Sequence, residues 1–206
     1  MKDPAPMVFG VDDDDSVRNS LERLIRSVGM QVQTFAKAES FLSHGQYEGP
    51  CCLVLDVRMP GLSGLDLQEE LAKSGLTLPI IFITGHGTIP MSVKVMRAGA
   101  IDFLEKPFED QALLDLIKHS LECDKKSKKE NTQKHAIHER FKTLSPREQQ
   151  VMALVVTGKA NREVASEVGI SERTVKAHRG QVMRKMEAES LADLVRMAEE
   201  VPLPKA

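Results

Sequence analysis

The sequence predicts an α/β unit, a parallel sheet wound with helices on both faces, followed by a smaller all-α unit. Three observations carry this expectation. Over residues 1–121, short apolar runs alternate with amphipathic stretches of helical period. A polar, charged segment then breaks the pattern, and from Thr143 onward the periodicity is helical throughout. Strands alternating with helices imply βαβ units and a parallel sheet, whereas helices alone imply a separate layer.

Five strands are expected: Met7–Val11, Gln31–Phe35, Cys52–Leu55, Ile80–Ile83 and a shorter one at Asp102–Leu104. The helical patterns between and after them are Ser16–Val28, Glu39–Ser43, Leu65–Lys73, Ile89–Ala98 and Glu109–Leu121. In the first, Val17, Leu21, Leu24, Ile25 and Val28 share one face and Gly29 stops the helix. The stretch Glu122–Arg140 is almost free of apolar residues and has neither Pro nor Gly. It reads equally as a solvated helix or a flexible linker. The expected organisation is therefore a first domain at 1–121, a linker at 122–142 and a second domain at 143–206.

Four short helices are expected in the second domain: Pro146–Thr157, Asn161–Val168, Glu172–Met186 and Leu191–Val201. Ser145 before Pro146, with Glu148 at capping-box spacing, marks the first start. Ala165, Gly169, Ile170 and Val175 fit a helix-turn-helix, with a small residue at the crossing and Gly in the turn. Val175, Val182, Met183 and Met186 make the inner face of the third helix, and Arg173, Lys176, Arg179, Arg184 and Lys185 its basic residues.

Composition bounds the function. Hydrophobic content of 41 % and charged content of 28 % describe a soluble globular protein. No run of apolar residues is long enough for a membrane span, and the N-terminus lacks a signal-peptide pattern. Three cysteines, with Cys51 and Cys52 adjacent, make no disulfide framework and suit a reducing cytoplasm. The absence of Trp and a single Tyr argue against base-stacking recognition of single strands. The net charge of −2 is a cancellation: residues 1–123 carry −7, 124–141 carry +3 and 142–206 carry +2.

Several strand ends of the first domain carry polar residues. The first run ends in Asp12-Asp13-Asp14-Asp15, the third at Asp56, the fourth at Thr84 and the fifth at Lys106-Pro107. In a parallel sheet these ends converge on one edge, where functional loops lie. Clustered carboxylates disfavour full ionisation without a cation, and oxygen-only ligands favour Mg²⁺. A metal, a lysine and a threonine hydroxyl could together neutralise a transferring phosphoryl group, with an Asp as nucleophile. Taken alone, a run of four Asp before a helix is a solvated loop with an N-cap, so the weight rests on joint occurrence. His135, His138 and Cys123 are too incomplete a set for zinc.

The motifs VDDDDSVR (Val11–Arg18), LVLDVRMPGLSG (Leu53–Gly64), IIFITGHG (Ile80–Gly87) and MRAGAIDFLEKPF (Met96–Phe108) resemble the receiver domain of two-component response regulators. That resemblance covers residues 7–121 and implies a flavodoxin-like fold. It makes Asp56 the phosphoacceptor and places Asp12, Asp13, Asp56 and the main-chain carbonyl of Arg58 around Mg²⁺. Thr84 and Lys106 match the residues that contact the phosphoryl group, and Phe103 the aromatic switch position. Arg58 and His86 match positions that tune phosphoryl lifetime. Gly10 departs from the family pattern, which has an aliphatic residue there.

Residues 143–201 are similar to the four-helix LuxR/NarL-type DNA-binding domain, through LSPREQQV, ANREVASEVGIS and RTVKAHRGQVMRKM. The match implies that Thr174, Lys176, Ala177, His178 and Arg179 face DNA, with Lys176 reaching bases and Arg173, Lys159 and Arg184 touching phosphates. Gly180 departs from the pattern, since a long side chain often stands there. The last helix matches the dimerising element. The whole order resembles the NarL/FixJ group and, within it, the styrene-catabolism regulators. Implied partners are a sensor histidine kinase, palindromic double-stranded DNA, a second copy of the chain when phosphorylated, and RNA polymerase. The opposing enzyme reading, an aspartate-nucleophile phosphatase, needs a second Asp two residues past the nucleophile, where Arg58 stands.

Overall fold

A computed structural model of the chain describes residues 4–85, 96 and 99–204, and divides into a unit ending at Lys128 and a unit beginning at Lys129. In the first unit, strands β1 (Met7–Val11), β2 (Gln31–Phe35), β3 (Cys51–Asp56), β4 (Ile80–Thr84) and β5 (Asp102–Glu105) occur with helices α1 (Asp15–Ser27), α2 (Ala38–Leu42), α3 (Gly64–Lys73) and α4 (Asp110–Lys142). The sheet order is β2-β1-β3-β4-β5, and every pairing is parallel. This is the doubly wound arrangement expected. His86 and the expected helix Ile89–Ala98, apart from Met96, lie outside the described residues.

Strand side chains alternate between the two faces of the sheet. Phe9, Val11, Leu53, Leu55 and Phe82 pack on one face with Ala38 and Phe41 of α2 and Leu67 and Leu71 of α3. Val8, Cys52, Val54, Ile81 and Ile83 pack on the other with Leu21 and Ile25 of α1 and Leu113, Ile117 and Leu121 of α4. Coverage on both faces explains why every residue of β3 and β4 is buried. Cys51 and Cys52 begin β3, one residue earlier than expected, and burial pushes both thiols up. Gly10 also finds its reason. A Cβ there would lie 3.1 Å from Thr34 Cγ2 on the neighbouring strand, so Thr34 takes the space of the missing side chain.

Helix α4 runs well past the expected end at Leu121. The first turns of its polar stretch are docked on the first unit. Asp124 is only 3 % exposed, and its carboxylate accepts from the Cys51 main-chain N–H at 2.8 Å. Lys128 Nζ lies 3.0 Å from Asp124 Oδ2 and donates to the carbonyls of Tyr47 at 3.0 Å and Gly49 at 2.6 Å. These two side chains satisfy backbone groups where the chain enters β3, which an unpaired buried N–H would otherwise make costly. Farther along, Ile137 and Phe141 belong to the core of the second unit.

The second unit adds α5 (Pro146–Val155), α6 (Asn161–Val168), α7 (Glu172–Met186) and α8 (Leu191–Ala198). Ser145 and Glu148 form the expected capping box, and the Ser171 and Ser190 hydroxyls accept from the N–H groups of Thr174 and Asp193. Gly169 closes α6 at φ 72°, the left-handed conformation that turns the chain into α7. Val151, Met152, Val164, Val175, Val182, Met186 and Leu194 form the core. Lys185, expected among the basic residues of α7, turns to Glu148 Oε2 at 2.7 Å and the Thr143 carbonyl at 3.1 Å. Burial works to raise the Glu148 carboxyl, but Lys185 and the Ser145 N–H and hydroxyl outweigh it and hold the group below the usual glutamate range.

Replacing Asp124 by Ala leaves the Cys51 N–H without an acceptor and Lys128 without its carboxylate. Urea unfolding of the full chain should show the first unit destabilised by about 2–4 kcal/mol. An unchanged midpoint would mean that the docked turns contribute nothing to this unit.

Candidate functional site

The site is assembled by topology. Asp12 directly follows β1, Asp56 closes β3, Thr84 closes β4 and Lys106 follows β5. These strands are adjacent and parallel, so their carboxyl ends meet at one edge. Asp12 and Thr84 are each 1 % exposed and Asp56 6 %. Lys106 Nζ donates to Asp12 Oδ2 at 2.6 Å and to Asp56 Oδ1 at 3.3 Å. The Lys106 main-chain N–H donates to the Thr84 carbonyl at 2.7 Å, tying the last two strand ends together.

Charge and burial compete here. Burial raises the Asp56 carboxyl, and Asp12 raises it further, while Lys106 and the Arg58 N–H work the other way without cancelling the rise. Burial opposes the Lys106 ammonium too, but its bonds to Asp12 and Asp56 outweigh that and hold it above the ordinary lysine range. The result is a buried Asp56 carboxyl whose charged form is only partly compensated by the cation beside it.

The four consecutive aspartates divide their work. Asp12, Asp13 and Asp56 each offer a carboxylate oxygen within 4.8 Å of the others. This hard, all-oxygen set fits Mg²⁺. Asp14 is the N-cap of α1, accepting from the Ser16 N–H at 2.7 Å. Asp15 opens the helix and pairs with Arg18. The capping reading of the run therefore holds for Asp14, while Asp12 and Asp13 stand with Asp56 in the carboxylate cluster. Arg58 presents its main-chain N–H to Asp56 Oδ2 at 3.2 Å, and its side chain is exposed. Phe103 is half-buried on β5, in register with Phe82 and packed on the core below.

Two residues outside the expected set support this geometry. Arg18 Nη1 donates to the Asp12 carbonyl at 2.6 Å, bracing the loop after β1. Gly64, the first residue of α3, lies so near Asp56 that a Cβ would stand 2.2 Å from the Asp56 carbonyl oxygen. Its N–H donates to the Val57 carbonyl at 3.1 Å. Read as a sequence, Gly64 is one of two glycines in a turn, and nothing local distinguishes it from Gly61.

In the second unit, Arg173, Thr174, Lys176, Ala177 and Arg184 are exposed on α7, while His178 and Arg179 are half-buried. Arg173, Lys176, Ala177, Gly180 and Arg184 share one helical face, opposite Val175, Val182 and Met186. Arg173 and Lys176 have no carboxylate partner among the described residues. The remaining expected contacts are held by neighbours. Lys159 Nζ lies 2.5 Å from Glu167 Oε1, Arg184 bonds the Gln181 carboxamide, and Arg179 Nη1 donates to Asn161 Oδ1 at 3.0 Å. A Cβ at Gly180 would meet nothing within 4 Å, so a side chain there would project into open space.

Comparison with known proteins agrees with both units. The response regulator receiver domain family matches residues 8–118, and the family of bacterial regulatory proteins of the luxR type matches residues 142–198. Nodulation protein W of Bradyrhizobium diazoefficiens is 54 % identical over 193 residues, covering 94 % of this chain and 85 % of that protein. The transcriptional regulatory protein FixJ of Azorhizobium caulinodans is 44 % identical over 191 residues, covering 93 % of this chain and 90 % of its own. The solved structure of the response regulator StyR is similar with a TM-score of 0.87 at 48 % identity, over 96 % of this chain and all of that one.

Gly64→Ala should force the Asp56 carbonyl or the start of α3 to move, at a cost of about 1–3 kcal/mol. Urea unfolding measures the cost. A curve superimposed on that of the parent chain would contradict the close approach of α3 to Asp56.

Proposed function

The chain belongs to the two-component response regulators, with a receiver domain followed by a LuxR-type DNA-binding domain, and on that premise we propose that phosphorylation of Asp56 by a sensor histidine kinase switches its DNA binding. The observation that carries this reading is the meeting of Asp12, Asp56, Thr84 and Lys106 at one sheet edge.

An Asp56 Oδ atom forms the new bond to phosphorus as the bond from phosphorus to the donor breaks. Lys106 neutralises charge on the transferring group, and the Thr84 hydroxyl donates to one of its oxygens. Asp12, Asp13, Asp56 and the main-chain carbonyl of Arg58 hold Mg²⁺. When bound, the ion supplies further positive charge against the phosphoryl oxygens. Beyond its own phosphorylation and dephosphorylation, the receiver catalyses nothing. Phosphorylation adds roughly −1.5 to −2 charge and three strong acceptors. Thr84 and Lys106 draw toward the new group and Phe103 repacks. Phosphorylated receivers then pair, and the two C-terminal domains meet the half-sites of a palindrome beside RNA polymerase.

In DNA recognition, the exposed stripe of α7 lies in the major groove. Lys176 reads a base edge, as lysine can at guanine O6 and N7. Arg173, Lys159 and Arg184 contact phosphates, and Thr174, Ala177, His178 and Arg179 complete the surface. The lack of carboxylate partners for Arg173 and Lys176 among the described residues supports this, because their charge remains available for phosphate or base.

Asp56→Asn should abolish labelling from acetyl phosphate or from the cognate kinase. A labelled band that persists with Asn at 56 overturns the phosphoacceptor assignment. Lys176→Ala should weaken binding to the specific duplex more than to random DNA, by about 1–3 kcal/mol for a base contact. Equal losses on the two duplexes would reduce Lys176 to a phosphate contact.

A further inference from the structure

The cations of the second unit fall into two electrostatic classes. Lys159, Lys185 and Arg140 are each paired with a carboxylate, from Glu167, Glu148 and Glu187. Their charge is locally offset. Arg179, like the exposed Arg147 and Arg184, is held by a neutral amide, but it is half-buried and its amide comes from another helix. Its Nη1 donates to Asn161 Oδ1 at 3.0 Å, and no other partner for this guanidinium occurs among the described residues. Asn161 is the first residue of α6, the helix before the turn at Gly169, and is itself half-buried. Arg179 is two turns into α7 and also half-buried, and its fork is tied at one corner.

A planar guanidinium on a half-buried residue with one N–H fixed has fewer orientations left. Ordering a free arginine would otherwise cost rotamer entropy at the moment of binding. An acid in the place of Asn161 would hold the fork equally well but cancel its charge. An amide oxygen orients it and leaves the positive charge intact. We propose that Asn161 is a positioning residue for nucleic-acid recognition, presenting the Arg179 guanidinium pre-oriented and uncompensated to an acceptor oxygen of duplex DNA. The inference rests on the reading of Arg179 as a DNA-facing residue.

The test is a thermodynamic cycle on the full chain, using Asn161→Ala, Arg179→Ala and the double variant. Fluorescence anisotropy reads binding to a labelled 30-base-pair duplex, selected by the parent protein from a randomised pool, over a salt series. Asn161→Ala should weaken binding about three- to tenfold, the size of one lost hydrogen-bonded arrangement. Its salt slope should be unchanged, because Arg179 keeps its charge. In the Arg179→Ala background the same substitution should cost less than about twofold. Asn161→Asp, of the same shape, should weaken binding and reduce the salt slope by about one, the signature of one cation withdrawn from phosphate. Thermal unfolding of each variant separates these effects from loss of fold. If Asn161→Ala costs as much without Arg179 as with it, or if Asn161→Asp binds with the parent affinity and slope, Asn161 does not act through Arg179 and the proposal is wrong. If Arg179→Ala alone binds as the parent does, the DNA-facing reading of Arg179 fails first and the proposal falls with it. The two failures are distinguishable because the single Arg179 variant reports only on the DNA-facing reading of Arg179.

Discussion

The ammonium of Lys106, 2.6 Å from Asp12 and 3.3 Å from Asp56, is the contact on which the receiver site depends. Two buried carboxylates at one sheet edge repel each other and resent their loss of solvent. A cation delivered by the neighbouring strand end makes the arrangement tolerable while leaving Asp56 short of full compensation. The rest of the unit serves the placement. A parallel sheet brings the strand ends to one side, helices on both faces bury the strands that carry them, and Gly64 lets α3 close on the Asp56 backbone.

The same economy of charge recurs in the second unit, to a different end. Cations that serve the fold are paired with carboxylates, as Lys185 is with Glu148 inside a capping box. Cations on the exposed face of α7 have no carboxylate partner among the described residues, and Arg179 is steadied by an amide. A count of five basic residues on the third helix treats these as equivalent. Their partners separate Lys185, paired with Glu148, from the other four, which have no carboxylate partner among the described residues, a difference that a net charge of −2 for the whole chain conceals.

The segment between the two motif-bearing regions carries a related lesson. Its composition is that of a solvated stretch, and it is helical. Yet Asp124 and Lys128 are drawn into the first unit by backbone groups around Cys51, Tyr47 and Gly49, more than seventy residues earlier in the chain. A buried aspartate within a run of lysines has no local signature. Polar side chains in a charged segment are normally solvated, and only a distant unsatisfied N–H gives this one a reason to be inside.

By itself, the sequence determined the alternation of strands and helices, most helix starts, and the residue types at the strand ends, because periodicity, caps and apolar runs are local properties. It also carried the motifs by which Asp12, Asp13, Asp56, Thr84, Lys106 and Phe103 resemble a receiver, and by which α7 resembles a DNA-reading helix. Tertiary structure alone decided what depends on distance through space. It set the Asp56 carbonyl so near Gly64 that a Cβ there would lie 2.2 Å away, and placed the Thr34 methyl where a side chain at Gly10 would stand. It turned Lys185 inward and tied Arg179 to Asn161. In each case the deciding neighbour lies many residues away, so the chemistry of the residue is legible in the chain but its role is set by what the fold places against it.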